Sequence, residues 1–254
     1  MFEIKGLTKH FGGLVALDNL DMTVNQGEKV GLIGPNGAGK TTCFNLITGF
    51  LRPTAGEVMF EGNHITGISP NEVAKRGIVR TFQLTSLFPN FTVLENIAAG
   101  RFLHPKTGLW EGFLHTPSSR KKEEQVLSKS LEIAKFVGLE HVKDAPAQSL
   151  PHGYKRKLGI AIALAAEPKL LLLDEPLSGM HAGEVTEAMA LINKISESGI
   201  TILLIEHNMR GVMSLCQRIV AINFGKKIAE GTPQEIQKNE ELSQAYLGVG
   251  THAT

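Results

Sequence analysis

The chain has 254 residues, 42% hydrophobic and 20% charged, enough for a sizeable core and unlike a disordered, collagenous or disulfide-framework sequence. Its 26 basic and 25 acidic residues leave a net charge of +1, which argues against a globally basic nucleic-acid binder. Cys43 and Cys216 form no metal or disulfide spacing, Met1–Lys5 lacks a leader pattern, and no apolar run nears the roughly 20 residues of a membrane span, so a soluble cytoplasmic protein is expected.

In chain order, Phe2–Leu7 alternates apolar and polar residues, Leu14–Val24 follows a Gly12-Gly13 turn, and Lys29–Ile33 is a β-branched run ending at Gly34. These read as strands, and Gly56–Phe60 as one more. Between them Lys40–Phe50 has helical periodicity, with Gly49 near its end. Three S/T-x-x-E capping boxes mark helix starts. Ser69–Glu72 opens a helix that should stop at Gly77, Thr92–Glu95 opens another, and Thr232–Glu235 opens one running toward Gly248. Pro117 to about Val137 reads as a long amphipathic helix with Leu127, Leu131 and Ala134 on its apolar stripe and Arg120–Glu124 as a solvated start. The irregular segment Phe102–His115, which holds the only tryptophan, Trp110, is expected to be a contact surface. The second half alternates helix Tyr154–Ala166, strand Leu170–Leu173, helix Glu184–Ser196, strand Ile200–Ile205 and helix Asn208–Cys216. That alternation predicts a mostly parallel sheet covered by helices.

Gly34-Pro35-Asn36-Gly37-Ala38-Gly39-Lys40-Thr41 matches the phosphate-loop pattern G-x-x-x-x-G-K-[ST] at every fixed position, between a predicted strand and a predicted helix. Its glycines let backbone N–H groups surround phosphate oxygens, and the helix N-terminus adds positive potential. Lys40 is then placed to reach the β- and γ-phosphates, and the Thr41 hydroxyl to ligate Mg²⁺, with Thr42 next along the same turn. Leu170–Leu173 is a fully apolar strand ending in Asp174 and Glu175. Asp174 is placed to help hold Mg²⁺, and Glu175 to polarise an attacking water.

Over nearly its whole length the chain resembles the ATP-binding cassette (ABC) ATPases. The resemblance implies an α/β P-loop NTPase cassette with a mostly parallel core sheet, an N-terminal antiparallel β subdomain and an inserted α-helical subdomain. It implies one domain over residues 1–248, with core segments 1–83 and 156–231, a helical subdomain 84–155, a C-terminal helix 232–248 and a tail 249–254. By the same resemblance Phe11 stacks on adenine, Gln83 in Thr81-Phe82-Gln83 approaches Mg²⁺, and His207 contacts the γ-phosphate.

Two departures from the family pattern stand out. The usual L-S-G-G-Q signature, which serves the phosphate held by the opposite subunit, is here Leu150-Pro151-His152-Gly153-Tyr154. Pro151 removes both a hydroxyl and an N–H donor, leaving His152 and Gly153 to contact that phosphate. In Ser178-Gly179-Met180-His181, His181 stands where an aspartate is common. The asymmetry suggests pairing with a second, non-identical ATPase subunit, the site completed by Pro151 being the weaker; a homodimer in which His152 and Gly153 suffice is the alternative.

Phe11–Leu17, the long segment after Gln83 and Ala245–Gly248 further resemble the ATPases of branched-chain amino acid importers. That resemblance implies ATP and Mg²⁺ as cofactors, two membrane permease subunits as partners, and a solute-binding protein acting indirectly. It places the chain on the cytoplasmic face of the membrane, with no nucleic-acid partner. An importer of amides or urea, and the ATPase of a lipid or lipopolysaccharide exporter, remain alternatives.

Overall fold

The computed structural model describes residues 1–81, 87–101, 117–239 and 242, with the backbone alone at 117–122. The chain opens with a hairpin of β1 (Phe2–Phe11) and β2 (Leu14–Val24), in register from Phe2 opposite Val24 to Phe11 opposite Leu14. β3 (Lys29–Ile33) starts a second sheet and leads into α1 (Lys40–Ile47). β4 (Ala55–Phe60) and β5 (Asn63–His64) return to the first sheet, which is antiparallel with order β2-β1-β4-β5. A Cβ on Gly56 would collide with the Gly6 carbonyl, so glycine is what lets β4 approach β1 there.

The next elements are α2 (Pro70–Lys75), β6 (Ile78–Arg80), α3 (Val93–Arg101), α4 (Pro117–Phe136) and α5 (His152–Ala165). All three boxes form their caps. Ser69 Oγ accepts from Glu72 N at 3.4 Å, and Thr92 Oγ1 accepts from Glu95 N at 3.1 Å. Then come β7 (Leu170–Asp174), α6 (Ala182–Glu197), β8 (Thr201–Ile205), α7 (Met209–Leu215), the hairpin β9 (Arg218–Asn223) with β10 (Lys226–Gly231), and α8 (Pro233–Gln237). The second sheet has order β10-β9-β3-β8-β7-β6, parallel throughout except for β10. β6, β9 and β10 carry no sequence expectation above, although Ile219–Ile222 in β9 is fully buried.

The uninterrupted leucines of β7 follow from a sheet covered on both faces. Leu170 and Leu172 pack with Phe44 and Ile47 of α1 and with the first sheet. Leu171 and Leu173 pack with Ile97, Leu158 and Ile192 of α3, α5 and α6. The helices of the middle region thus share a core with the sheet, and α5 runs unbroken across position 155.

Three expectations need correction. The helix after Gly39 stops at Ile47, and Gly49, at φ 76°, turns the chain out. On α4, Leu127 is exposed and Leu131 half-buried, while Ser130 and Ala134 are buried. The buried face is rotated by one position by packing on α3 and α5, and Ser130 tolerates burial because its Oγ donates to the Val126 carbonyl at 2.7 Å. Thr232 and Glu235 form a reciprocal capping box, but α8 ends at Gln237 instead of running toward Gly248. Asn239 Oδ1 accepts from Leu242 N at 2.9 Å. The other residues after 239, including Ala245–Gly248, lie outside the described residues, as does Phe102–His115.

Candidate nucleotide-binding site

The loop from Gly34 to Gly39 is shaped by close backbone approach. A Cβ at Gly34 would collide with the Ile222 carbonyl, and one at Gly39 would lie 2.5 Å from the Ala16 carbonyl. Ala38 fastens the loop to the β9–β10 turn, its carbonyl accepting from Gly225 N at 3.0 Å. α1 has no side-chain cap, and its ladder begins with Cys43 N to Gly39 O at 2.9 Å. The amides of Lys40, Thr41 and Thr42 are therefore outside the ladder, the arrangement that receives anions at a helix start.

Lys40 is 8% exposed, and its ammonium donates to Gly34 O at 2.7 Å and Pro35 O at 3.0 Å. Burial lowers its pKa, while the charges of Glu175 and Asp174 act to raise it. Lysine and both carboxylates thus share one electrostatic environment. Asp174 closes β7, and its Oδ2 accepts from Arg80 Nη2 at 2.5 Å, with both side chains at or below 10% exposure. Arg80 also donates to Asn45 Oδ1 of α1 at 2.7 Å and lies 5.4 Å from the centre of the Phe44 ring. Asp174 N donates to Thr81 Oγ1 at 3.3 Å. The strand leading toward Gln83 is therefore tied to the acidic strand end. Gln83 itself lies outside the described residues.

Glu175 has a left-handed backbone, φ 48°, a conformation costing on the order of 1–3 kcal/mol for a residue with a side chain. Its N–H donates to the Ile205 carbonyl at 2.9 Å, which fixes it beside the end of β8. There Glu175 Oε1 lies 3.5 Å from His207 Nδ1. The two residues, far apart in sequence, meet because β7 and β8 are parallel neighbours ending at the same level. Glu206, next to His207, is fully buried. Burial pushes its carboxyl above the usual range, against backbone amides and His207, which act to lower it.

Residues 17–178 match the family described as ABC transporter. The chain belongs to the ABC transporter family. It is 40% identical to the high-affinity branched-chain amino acid transport ATP-binding proteins BraF of Pseudomonas aeruginosa and LivG of Escherichia coli K12, covering 98% of this chain and 98% of each relative. An ATP-binding cassette of an ABC transporter, solved in its ADP conformation, matches with a TM-score of 0.86 and 33% identity over 98% of both chains.

The remaining cassette positions read as follows. Phe11 ends β1 outside the core, 45% exposed, with the Lys9 ammonium 5.1 Å from its ring centre. Its free face suits stacking more than packing. At the altered signature, Pro151 takes the position before α5 with φ −54° and ψ 156° and no side-chain cap. His152 and Gly153 are the first two helical residues. Gly153 is buried, and a Cβ there would meet Glu184 Oε1 at 2.5 Å. Glu184 Oε2 in turn accepts from His181 N at 3.0 Å. His152 Cε1 lies 3.5 Å from where a Cβ on Gly179 would stand. The two segments that depart from the family pattern therefore pack against each other.

Sequence reasoning missed Arg80, Asn45, Glu184 and Glu206. Glu206 had a usable signal, because it ends an apolar strand just as Asp174 does. Arg80 had none, since its role depends on β6 lying beside β7. Among the described residues no cluster of three His, Cys, Asp or Glu side chains could hold a metal by itself. Thr41 and Asp174 nevertheless offer the hard oxygen donors that Mg²⁺ takes when phosphates complete its shell, so the residues fit that ion. Among the described residues, no helix is long and apolar enough to cross a membrane.

Proposed function

We propose that this chain is the Mg²⁺-dependent ATP-hydrolysing subunit of an importer of branched-chain or related amino acids. The observation that supports the chemistry best is the meeting of Glu175 and His207 at 3.5 Å at adjacent strand ends, in the electrostatic environment of Lys40. The named cargo of BraF and LivG supports the cargo class.

In this reading Phe11 stacks on the adenine, and the amides from Gly37 to Thr42 hold the phosphates. Lys40 exchanges the carbonyls of Gly34 and Pro35 for phosphate oxygens, so its buried charge keeps acceptors throughout. Thr41, Asp174 and Gln83 would hold Mg²⁺, which would supply neutralising charge at the phosphates. Glu175 takes the proton of the attacking water as general base, and His207 contacts the γ-phosphate. Pro151, His152 and Gly153 face the γ-phosphate of a second, non-identical ATPase subunit.

Gln83 and the helical region from about Leu84 to Leu150 face two membrane permease subunits, which anchor the chain peripherally at the cytoplasmic face. The exposed rings of Phe88 and Phe91, stacked 5.1 Å apart just after the glutamine segment, support contact in that region. A solute-binding protein acts indirectly, through the permeases. The test is ATP hydrolysis by the complex of this chain with its second ATPase and both permeases in lipid, with the solute-binding protein added. Leucine, isoleucine or valine is expected to stimulate turnover. Stimulation by a lipid, or by urea and amides alone, would replace the cargo assignment.

A further inference from the structure

Glu206 is a buried acid with no role in the reading above. It follows β8, and its carboxylate is divided between two loops. Oε1 accepts from Leu177 N at 2.7 Å, while Oε2 accepts from His207 N at 3.1 Å and Asn208 N at 3.3 Å. Leu177 belongs to the loop that follows Glu175, whereas His207 and Asn208 follow β8. A carboxylate at 0% exposure is costly to bury without hydrogen bonds, and here the bonds go to backbone amides of the two loops bearing Glu175 and His207.

The surrounding contacts reinforce the same junction. Glu175 N donates to Ile205 O at 2.9 Å, and a Cβ on Gly211 would collide with the buried Leu177 side chain. Asn208 caps α7 by accepting from Gly211 N at 3.1 Å. The direct contact of Glu175 with His207 is weaker by comparison. It is 3.5 Å long, between side chains 30% and 51% exposed, where solvent screening leaves little energy to hold a geometry. The backbone must therefore set it.

We propose that Glu206 is a positioning residue that locks the Glu175 loop to the His207 loop, so that its clamp sets the relation of these two groups. The inference rests on the roles given above to Glu175 and His207. Glu206→Gln is nearly isosteric but replaces one acceptor oxygen with a donor. However the amide turns, an NH₂ group faces either the Leu177 N–H or the amides of His207 and Asn208. One loop is released.

The experiment is a double-mutant cycle on ATP hydrolysis by the assembled complex, using E206Q, H207A and the pair. E206Q is expected to lower kcat about tenfold, with KM for ATP within about twofold, as the loss of one buried hydrogen bond near the reacting groups implies. In the H207A background E206Q is expected to cost less than about twofold more, because H207A already removes the Glu175–His207 relation that the clamp sets. Additive losses, or a raised KM at unchanged kcat, would overturn the clamp while leaving the functional reading intact. An H207A variant with unchanged hydrolysis would overturn both. Hydrogen exchange in the unaltered full chain gives a readout independent of any variant's folding. The Leu177 and His207 amides should be protected together, and exchange of Leu177 at the rate of an exposed loop would overturn the proposal.

Discussion

In the proposed reading α1 and α5 both offer a helix N-terminus to phosphate, and they are prepared differently. α1 begins behind a glycine loop that passes close to the carbonyls of Ala16 and Ile222, and its first residue, Lys40, is a buried ammonium in the field of two carboxylates. α5 begins behind Pro151, whose φ of −54° and ψ of 156° suit a helix start but which supplies neither hydroxyl nor N–H. The comparison separates two duties that a capping serine performs together. Proline keeps the conformational duty and drops the ligand duty, so α5 folds normally while its contribution to a bound phosphate shrinks. In the proposed head-to-tail pair of ATPases the consequence falls on the partner's nucleotide, and this chain's own site keeps Lys40, Glu175 and His207.

The largest expected effect tests that assignment directly. Glu175→Gln in the heteromeric complex should lower ATP hydrolysis by about 10²–10⁴-fold, the range for loss of a general base. Nucleotide binding should persist, because Lys40 and the loop amides are untouched. Unchanged turnover would mean that the site completed by Pro151 is the dominant one, reversing the comparison.

How much of this was visible in the sequence depends on whether the partners are neighbours in the chain. The phosphate loop was legible in full, since its geometry is local and each fixed residue has a local reason. Asp174 and Glu175 were legible because an apolar strand of both-face burial ends in two charges. The Arg80–Asp174 pair was not. It joins residues on β6 and β7, and the intervening helices give no clue that these strands are adjacent. Removing one partner of so buried a pair leaves a charge stranded, which is why such residues matter as much as motif residues. The stripe of α4 was misread for a similar reason. Leucine at 127 looked like a core position, yet the packing direction of α3 and α5 put Ser130 inside, with its hydroxyl satisfied within the helix. The end of α8 was misread because the side chain of Asn239, which accepts from Leu242 N just past it, was not weighed.

A smaller effect is expected from Pro151→Ser. A serine cap typically adds about 1 kcal/mol, while losing proline's restraint on the unfolded chain costs about 0.4–1 kcal/mol. The two nearly offset, so the melting temperature should move by no more than about 3 °C for a chain of this size. Activity is the decisive readout. In the E175Q background, where the partner's site supplies the residual turnover, P151S should raise hydrolysis several-fold by restoring a donor to α5. A rise in melting temperature with no change in that residual turnover would make Pro151 a folding feature only.

The smallest effect concerns the opposite ends of the same strands. Where β3 and β9 end near Gly34 they carry the site, and where they begin they carry an ion cluster. Arg218, at the start of β9, donates to Glu28 Oε1 at 2.8 Å, to Glu28 Oε2 at 2.9 Å and to Thr23 O at 2.7 Å, and also pairs with Glu230. Burial acts to raise the Glu28 carboxyl, but hydrogen bonds and charge from Arg218, with the Asn25 amide, hold it below its ordinary 4.5. Glu230 is likewise lowered against burial by Lys227 and Arg218. With folded values depressed, the unfolded chain binds more protons in acid. The stabilisation is complete above the ordinary value of 4.5 and is lost as pH falls through the folded values. Solvent screening limits it to on the order of 1 kcal/mol. Arg218→Met should lower the denaturant midpoint at neutral pH, and its gap from the unaltered protein should close in acid, below the ordinary carboxylate value. A gap that stays constant with pH would remove the ion cluster from the account. Hydrolysis per folded molecule should be unchanged in R218M, whereas E175Q should lose hydrolysis at an unchanged midpoint. That crossed pattern would place stability at one end of the shared strands and chemistry at the other.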